Sequence, residues 1–158
     1  MSQTIQLPTI KLVGITARTS NLIEFIPSEA KIGKTFGRYV MEGVASKIKN
    51  RICAGKTYLA YTDYENDYKG EYTFFIGEEV SSFDGQIFDQ LEVQHGTFEK
   101  FTTETGKIPD VVVQEWQKIW QLLDITSPGK RKYATDFEIH HYTDLNQATV
   151  DIYIGLNG

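Results

Sequence analysis

Three short matches occur in the same order in the two halves of the chain. Ile26-Pro27 and Ile108-Pro109 each precede apolar residues at helical spacing; Tyr61-Thr62-Asp63 is answered by Tyr142-Thr143-Asp144, and Phe75-Ile76-Gly77 by Tyr153-Ile154-Gly155. Any one match is weak evidence, but three in one order imply an internal duplication. The repeated unit reads as strand, helix, strand, strand. The fold expected is therefore α+β: duplicated strand-helix-strand-strand units, an antiparallel sheet and two main helices.

Residues 4–20 read as the first strand. After Ser28, Ile32, Phe36, Tyr39, Val40 and Val44 fall at helical spacing, followed by strands over 57–64 and 71–78. In the second half, 87–104 is a strand region broken at His95-Gly96. Val112, Val113, Trp116, Ile119, Trp120 and Leu123 then form a helical stripe, and strands over 135–143 and 147–155 close the chain. The expectation is a single effector-sized domain over 1–158, with pseudo-repeats at about 4–80 and 86–156 and no room for an appended DNA-binding segment.

Composition removes several function classes. The 158 residues carry a formal net charge of -5, and the only short basic cluster is GKRK at 129–132, so direct nucleic-acid binding is not expected. One cysteine, Cys53, permits neither a disulfide framework nor a cysteine-based metal cluster. The N-terminus lacks a signal-peptide pattern, and no run of about 18 apolar residues exists to span a membrane. A cytoplasmic location is expected, with no membrane association. The unusual component is aromatic, 13% of residues, and five of nine tyrosines fall between Tyr58 and Tyr72. Such a cluster suits an aromatic-lined site.

Period-two alternation assigns faces. If Val150, Ile152 and Ile154 form the core row of the last strand, the duplication gives Tyr72, Phe74 and Ile76 the same role in the first half. Phe75 and Tyr153 then face the other way. Glu138 alternates with Phe137 and Ile139, sharing a side with His140 and Tyr142 and with the repeat-related Tyr61. The expected groove thus brings Glu138 together with Tyr61, Phe75, Tyr142 and Tyr153, and Trp116 closes one side. A register that puts Glu138 opposite to Phe75 and Tyr153 removes that groove. Rings around one carboxylate would attract a flat lipophilic cation.

Taken together, these residues resemble the GyrI-like effector-binding domains, also found as ligand-binding halves of AraC-type and MerR-type regulators. The resemblance runs through Tyr58-Leu59-Ala60-Tyr61-Thr62-Asp63-Tyr64, residues 70–80 (GEYTFFIGEEV), Trp116-Gln117-Lys118-Ile119-Trp120, Tyr133 to Glu138, and Val150 to Ile154. It implies a duplicated strand-helix-strand-strand fold binding lipophilic, often cationic small molecules between the units, with a late glutamate as the central polar group. Glu138, in Asp136-Phe137-Glu138, matches that position. Similar free-standing members include integron-cassette proteins that bind cationic drugs and others implicated in gyrase inhibition or cyclopropanoid hydrolysis. The chain departs from the family pattern after the glutamate, where Ile139-His140-His141-Tyr142 delays the next aromatic ring.

Other chemistry is poorly served. His140 and His141 are adjacent strand residues pointing to opposite faces, so no metal site is expected; His140 would instead tune Glu138. No phosphate loop or dinucleotide fingerprint occurs, and no cofactor is expected. The leading reading is a small-molecule binding module acting through a protein partner or by sequestration. Its rivals are a hydrolase, with Glu138 donating a proton or activating water against a strained electrophile, and a protein-interaction module resembling gyrase inhibitors.

Overall fold

Proline and a short linker split the first expected strand. Pro8 has no N–H to offer a ladder, and β1 (Ser2–Leu7) and β2 (Ile10–Ser20) lie far apart in the sheet. The computed structural model describes residues 2–158. The other strands are β3 (Thr57–Thr62), β4 (Glu71–Glu79), β5 (Asp89–Val93), β6 (Gly96–Thr102), β7 (Thr135–His140) and β8 (Asp151–Gly155). They form one eight-stranded sheet in the order β1-β6-β8-β7-β3-β4-β2-β5, antiparallel throughout. The order is unchanged when each strand is exchanged with its partner four strands away in the chain.

This order forces curvature. β1 and β2 are six positions apart, roughly 29 Å in a flat sheet, yet Pro8-Thr9 can bridge only about 11 Å. Gln94-His95 sets the same condition on β5 and β6, which is why 87–104 becomes two strands at opposite ends of the sheet rather than one interrupted strand. The sheet therefore curls until its ends meet, and the His95 N–H donates to Thr9 Oγ1 across the junction at 3.3 Å. Close approach between β2 and β4 demands glycine at two facing positions: a Cβ on Gly14 would lie 1.9 Å from the Ile76 carbonyl oxygen, and one on Gly77 2.0 Å from that of Val13.

Helices cover only the other face. α1 (Asn21–Glu24) starts from Ser20, whose Oγ accepts from the Ile23 N–H at 3.1 Å. The Glu24 carboxylate in turn accepts from the Lys31 and Ile32 N–H groups at the start of α2 (Ile32–Met41). Gly43, at φ 61°, ends that run, so Val44 falls in a separate helix, α3 (Val44–Lys47), rather than extending α2. α4 (Asp110–Ile119) continues into a π-helical turn, Trp120–Ile125. No helix among the described residues is long and apolar enough to cross a membrane.

Two apolar clusters lie beneath the helices. One joins Val13, Leu59, Phe74 and Ile76 to Tyr39, Val44 and Ile48 of the α2–α3 region; the other joins Val150, Ile152 and Ile154 to Val111, Val112 and Ile119 of α4. A third fills the inside of the curl with Leu12, Phe75, Phe98, Phe137 and Tyr153. Both faces of the central strands are thus buried. The rows read from alternation in β4 and β8 hold, with Phe74, Ile76, Ile152 and Ile154 under the helices and Phe75 and Tyr153 opposite. What fails is the side given to Glu138 and Tyr61, because both rows of the central strands are buried and alternation does not say which rows of neighbouring strands align. Phe137 pairs with Tyr153 and with Ala60, and Ala60 pairs with Phe75, so these rings share the inner face. Glu138 pairs with Leu59 and Ile152 and lies on the helix side.

Candidate functional site

Glu138 sits midway along β7, and only 1% of it is exposed. Its Oε2 accepts from the Tyr61 hydroxyl and from Trp116 Nε1–H, each at 2.7 Å; its Oε1 lies 2.7 Å from His140 Nε2. The fold explains each partner. Tyr61 is two residues beyond Leu59, the residue facing Glu138, so it shares the face. His140 is two residues along β7 itself. Trp116 reaches down from the second turn of α4. Outside the strand, Tyr142 holds the far side of the imidazole, its hydroxyl 2.8 Å from His140 Nδ1.

Because α2 and α4 pack over different halves of the sheet, a cavity of about 660 Å³ opens above the β3–β7 seam. Glu138, Tyr61 and His140 line its floor. Phe36, Tyr72, Trp116 and Trp120 supply ring walls, and Phe25, Val113 and Leu145 line it while remaining largely exposed, which places them at its mouth. Tyr61 makes edge contacts with Trp116 at 5.3 Å and with Tyr72 at 5.6 Å between centroids. Burial pushes the Tyr61 hydroxyl well above the usual phenol range, and the Glu138 charge adds to the effect, so Tyr61 is held as a donor.

A second buried network borders the same cavity. Arg131 Nη2 donates to Asp136 at 2.6 Å and its Nη1 to Asp124 at 2.9 Å, while its guanidinium stacks 4.2 Å from the Tyr133 ring centroid. The Tyr64 hydroxyl also donates to Asp136, and the Tyr133 hydroxyl to Asp124. Burial alone would lower the affinity of Arg131 for its proton, but Asp136, Tyr64 and Asp124 reverse that and hold the guanidinium firmly charged. Arg131 is thus taken up by two carboxylates, Asp124 and Asp136, while the carboxylates lining the cavity are Glu138 and Glu24. Glu24 is held by the Thr19 hydroxyl and the Lys31 and Ile32 N–H groups, and Glu138 by groups that are formally neutral unless His140 takes a second proton.

Of the residues expected to form one site, Glu138, Tyr61, Trp116 and His140 come together at the cavity. Tyr142 touches it only through His140. Phe75 and Tyr153 do not reach it: they are packed inside the curl, where Tyr153 stacks on Phe137 at 4.8 Å. The groove expected on a face shared with those two rings is therefore absent, and the cavity occupies the opposite face. Sequence reasoning missed Arg131, Asp136, Tyr64 and Phe36 as site residues; Tyr72 is in the core, as expected, and also forms a wall of the cavity. A signal for Asp136 was present, since Asp136, Glu138 and His140 form a polar row in a strand whose alternate residues are apolar. Arg131 had none: it is buried between exposed Lys130 and Lys132 in a run that reads as solvated.

Known proteins resemble the whole chain. An integron cassette protein from the mobile metagenome of Vibrio cholerae, VCH_CASS2, is 27% identical; the match covers 99% of this chain and 95% of that one with a TM-score of 0.76. The structure of SAV2435 bound to tetraphenylphosphonium superposes with a TM-score of 0.78 at 20% identity, covering 100% of this chain and 94% of the other. YobU of Bacillus subtilis strain 168, which bears a transcriptional-regulator name, is 22% identical over 150 residues, 92% of this chain and 91% of its own. The model of the integron-associated effector binding proteins, Cass2, matches residues 4–156, and the chain belongs to that family.

Proposed function

We propose that the cavity binds lipophilic cations, with Glu138 supplying charge and Tyr61, Trp116 and the neighbouring rings supplying contact area. The observation that carries this reading is a carboxylate 1% exposed, at the floor of a ring-lined cavity, with three hydrogen-bond partners. Burying a charge without a counter-charge costs several kcal/mol. The three contacts offset part of that, and a bound cation offsets more while its apolar surface gains the ring contacts. Binding of tetraphenylphosphonium by SAV2435, a protein of the same fold, supports the assignment.

The same reading takes the protein as a cytoplasmic effector-binding module that works through a protein partner or by sequestration. It takes residues 4–80 and 86–156 as copies of one unit, which the self-matching strand order supports. Both oxygens of Glu138 are already engaged, which favours a held charge over a proton donor in hydrolysis. The test is calorimetric titration of tetraphenylphosphonium and its uncharged relative triphenylphosphine oxide into wild type and Glu138→Gln. Loss of one charge-assisted contact predicts a roughly 10- to 100-fold weaker phosphonium affinity in the variant, with little change for the oxide. Equal phosphonium binding by both proteins removes Glu138 from recognition.

A further inference from the structure

The partners of Glu138 differ in one respect. Tyr61 and Trp116 can only donate a neutral hydrogen bond, whereas His140 can change its charge. His140 is 6% exposed and both ring nitrogens are engaged, Nε2 with Glu138 Oε1 at 2.7 Å and Nδ1 with the Tyr142 hydroxyl at 2.8 Å. In either charge state Nε2–H donates to the carboxylate. With a neutral ring the Tyr142 hydroxyl donates to Nδ1; with an imidazolium Nδ1–H donates to the same oxygen, and only the hydroxyl hydrogen turns. The ring therefore gains or loses a proton with every hydrogen bond kept and no heavy atom moved. Half-buried Tyr142 gives the Nδ1 side a route to solvent.

We infer that the cavity takes up a lipophilic cation in exchange for the proton on His140, which makes His140 the residue that sets the charge preference of the site. This rests on the cation-binding reading above and deepens it. At the acidic end of the range in which histidine changes charge, a doubly protonated ring balances Glu138 in the empty protein. A cation entering the cavity, which His140 also lines, supplies that balance instead and repels the second proton. Nδ1 then releases its proton towards Tyr142 and solvent, and the floor keeps the same net charge.

The other groups around the ring do not offer that exchange. Across the sheet, Thr57 faces His140 and is neutral. Tyr61 on β3 and Tyr72 on β4 are held protonated by burial, with Glu138 adding to the effect on each. On α4, Trp116 is uncharged and Glu115 is paired with Lys118 at 3.9 Å. Arg131 and Asp136 form their own pair at 2.6 Å.

The experiment titrates tetraphenylphosphonium into wild type and His140→Gln between pH 5 and 8, the range in which histidine charge changes, in buffers of different ionisation enthalpy. Expected for wild type is release of close to one proton per cation at the acidic end, with affinity rising up to about tenfold per pH unit there. Glutamine keeps an N–H for Glu138 but cannot titrate, so His140→Gln should bind with no proton release and flat pH dependence. Nitrogen-15 NMR follows the ring directly and separates His140 from exposed His95 and His141. A phosphonium affinity with the same pH slope in both proteins, or a His140 ring that stays neutral to pH 5 while the cation binds, overturns the exchange and leaves cation binding standing. No phosphonium binding at any pH overturns both.

Discussion

On one side of β7 the buried residues are Asp136, Glu138 and His140; on the other they are Thr135, Phe137 and, more partially, Ile139. The two sides are equally hidden from water but closed by different means. The curl of the sheet packs its inner face with its own side chains, so Phe137 meets Tyr153, Phe98 and Tyr58 at centroid distances of 4.8, 5.8 and 5.7 Å. Two separated helices close the outer side and leave a cavity whose rings surround polar groups. Aromatic content alone does not mark a binding site here. Rings that satisfy one another build the core, and rings left facing open space beside a held charge are available to a ligand.

The widest test of this contrast is alkaline pH, which acts on both sides at once. Burial pushes up the hydroxyls of Tyr58 on the inner face and of Tyr61, Tyr64 and Tyr72 on the outer, with Glu79, Glu138, Asp136 and Glu24 respectively adding to it. The neutral phenol is favoured in the fold, so this stabilisation is full below the unfolded value of about 10 and is lost as pH rises through the folded values, by about 1.4 kcal/mol per pH unit for each tyrosine. Urea midpoints measured from about pH 9 to about 11 should fall steeply above 10. Tyr58→Phe and Tyr61→Phe should each make the fall shallower; equal slopes in wild type and both variants would mean that neither side holds its phenol.

Phe137→Ala probes the inner face alone. Removing a ring packed against three others predicts a loss of about 3–5 kcal/mol in urea unfolding, while phosphonium affinity per folded molecule stays unchanged. A matching collapse of affinity would break the separation between the faces. Trp116→Phe should give the smallest effect. It keeps a ring in the wall but removes one donor to a carboxylate, with an expected loss of about 1.5–3 kcal/mol shared between stability and cation affinity. Affinity unchanged alongside reduced stability would make the indole N–H a structural contact only.

The strand and helix order was legible because it depends on local pattern. Apolar spacing over Val112 to Leu123 specified a helix, and the alternating residues around Phe74 and Ile152 specified strands. Glu138, Tyr61, His140 and Trp116 were legible as candidates from the motifs that carry them. Phe75 and Tyr153 were wrongly joined to Glu138 because alternation separates the two rows of each strand without saying how rows of different strands align. The end of β7 at His140 was likewise hidden, since it follows from which neighbour pairs with it, whereas the break at Pro8-Thr9 had a local signal in the proline that the reading passed over.

By itself the sequence determined the type of the main segments and the family, and it marked Glu138 as the candidate carboxylate, because each of these is written in local spacing and side-chain chemistry. Only the tertiary structure decided that β1 and β5 occupy opposite ends of a curled sheet and that Glu138 looks towards α4 rather than towards Tyr153. Likewise it alone decided that Arg131 is buried beside the cavity. These are outcomes of long-range pairing: a strand presents the same alternation whichever way it faces, and the curl imposed by two short linkers settles which row meets helices and which meets its own sheet.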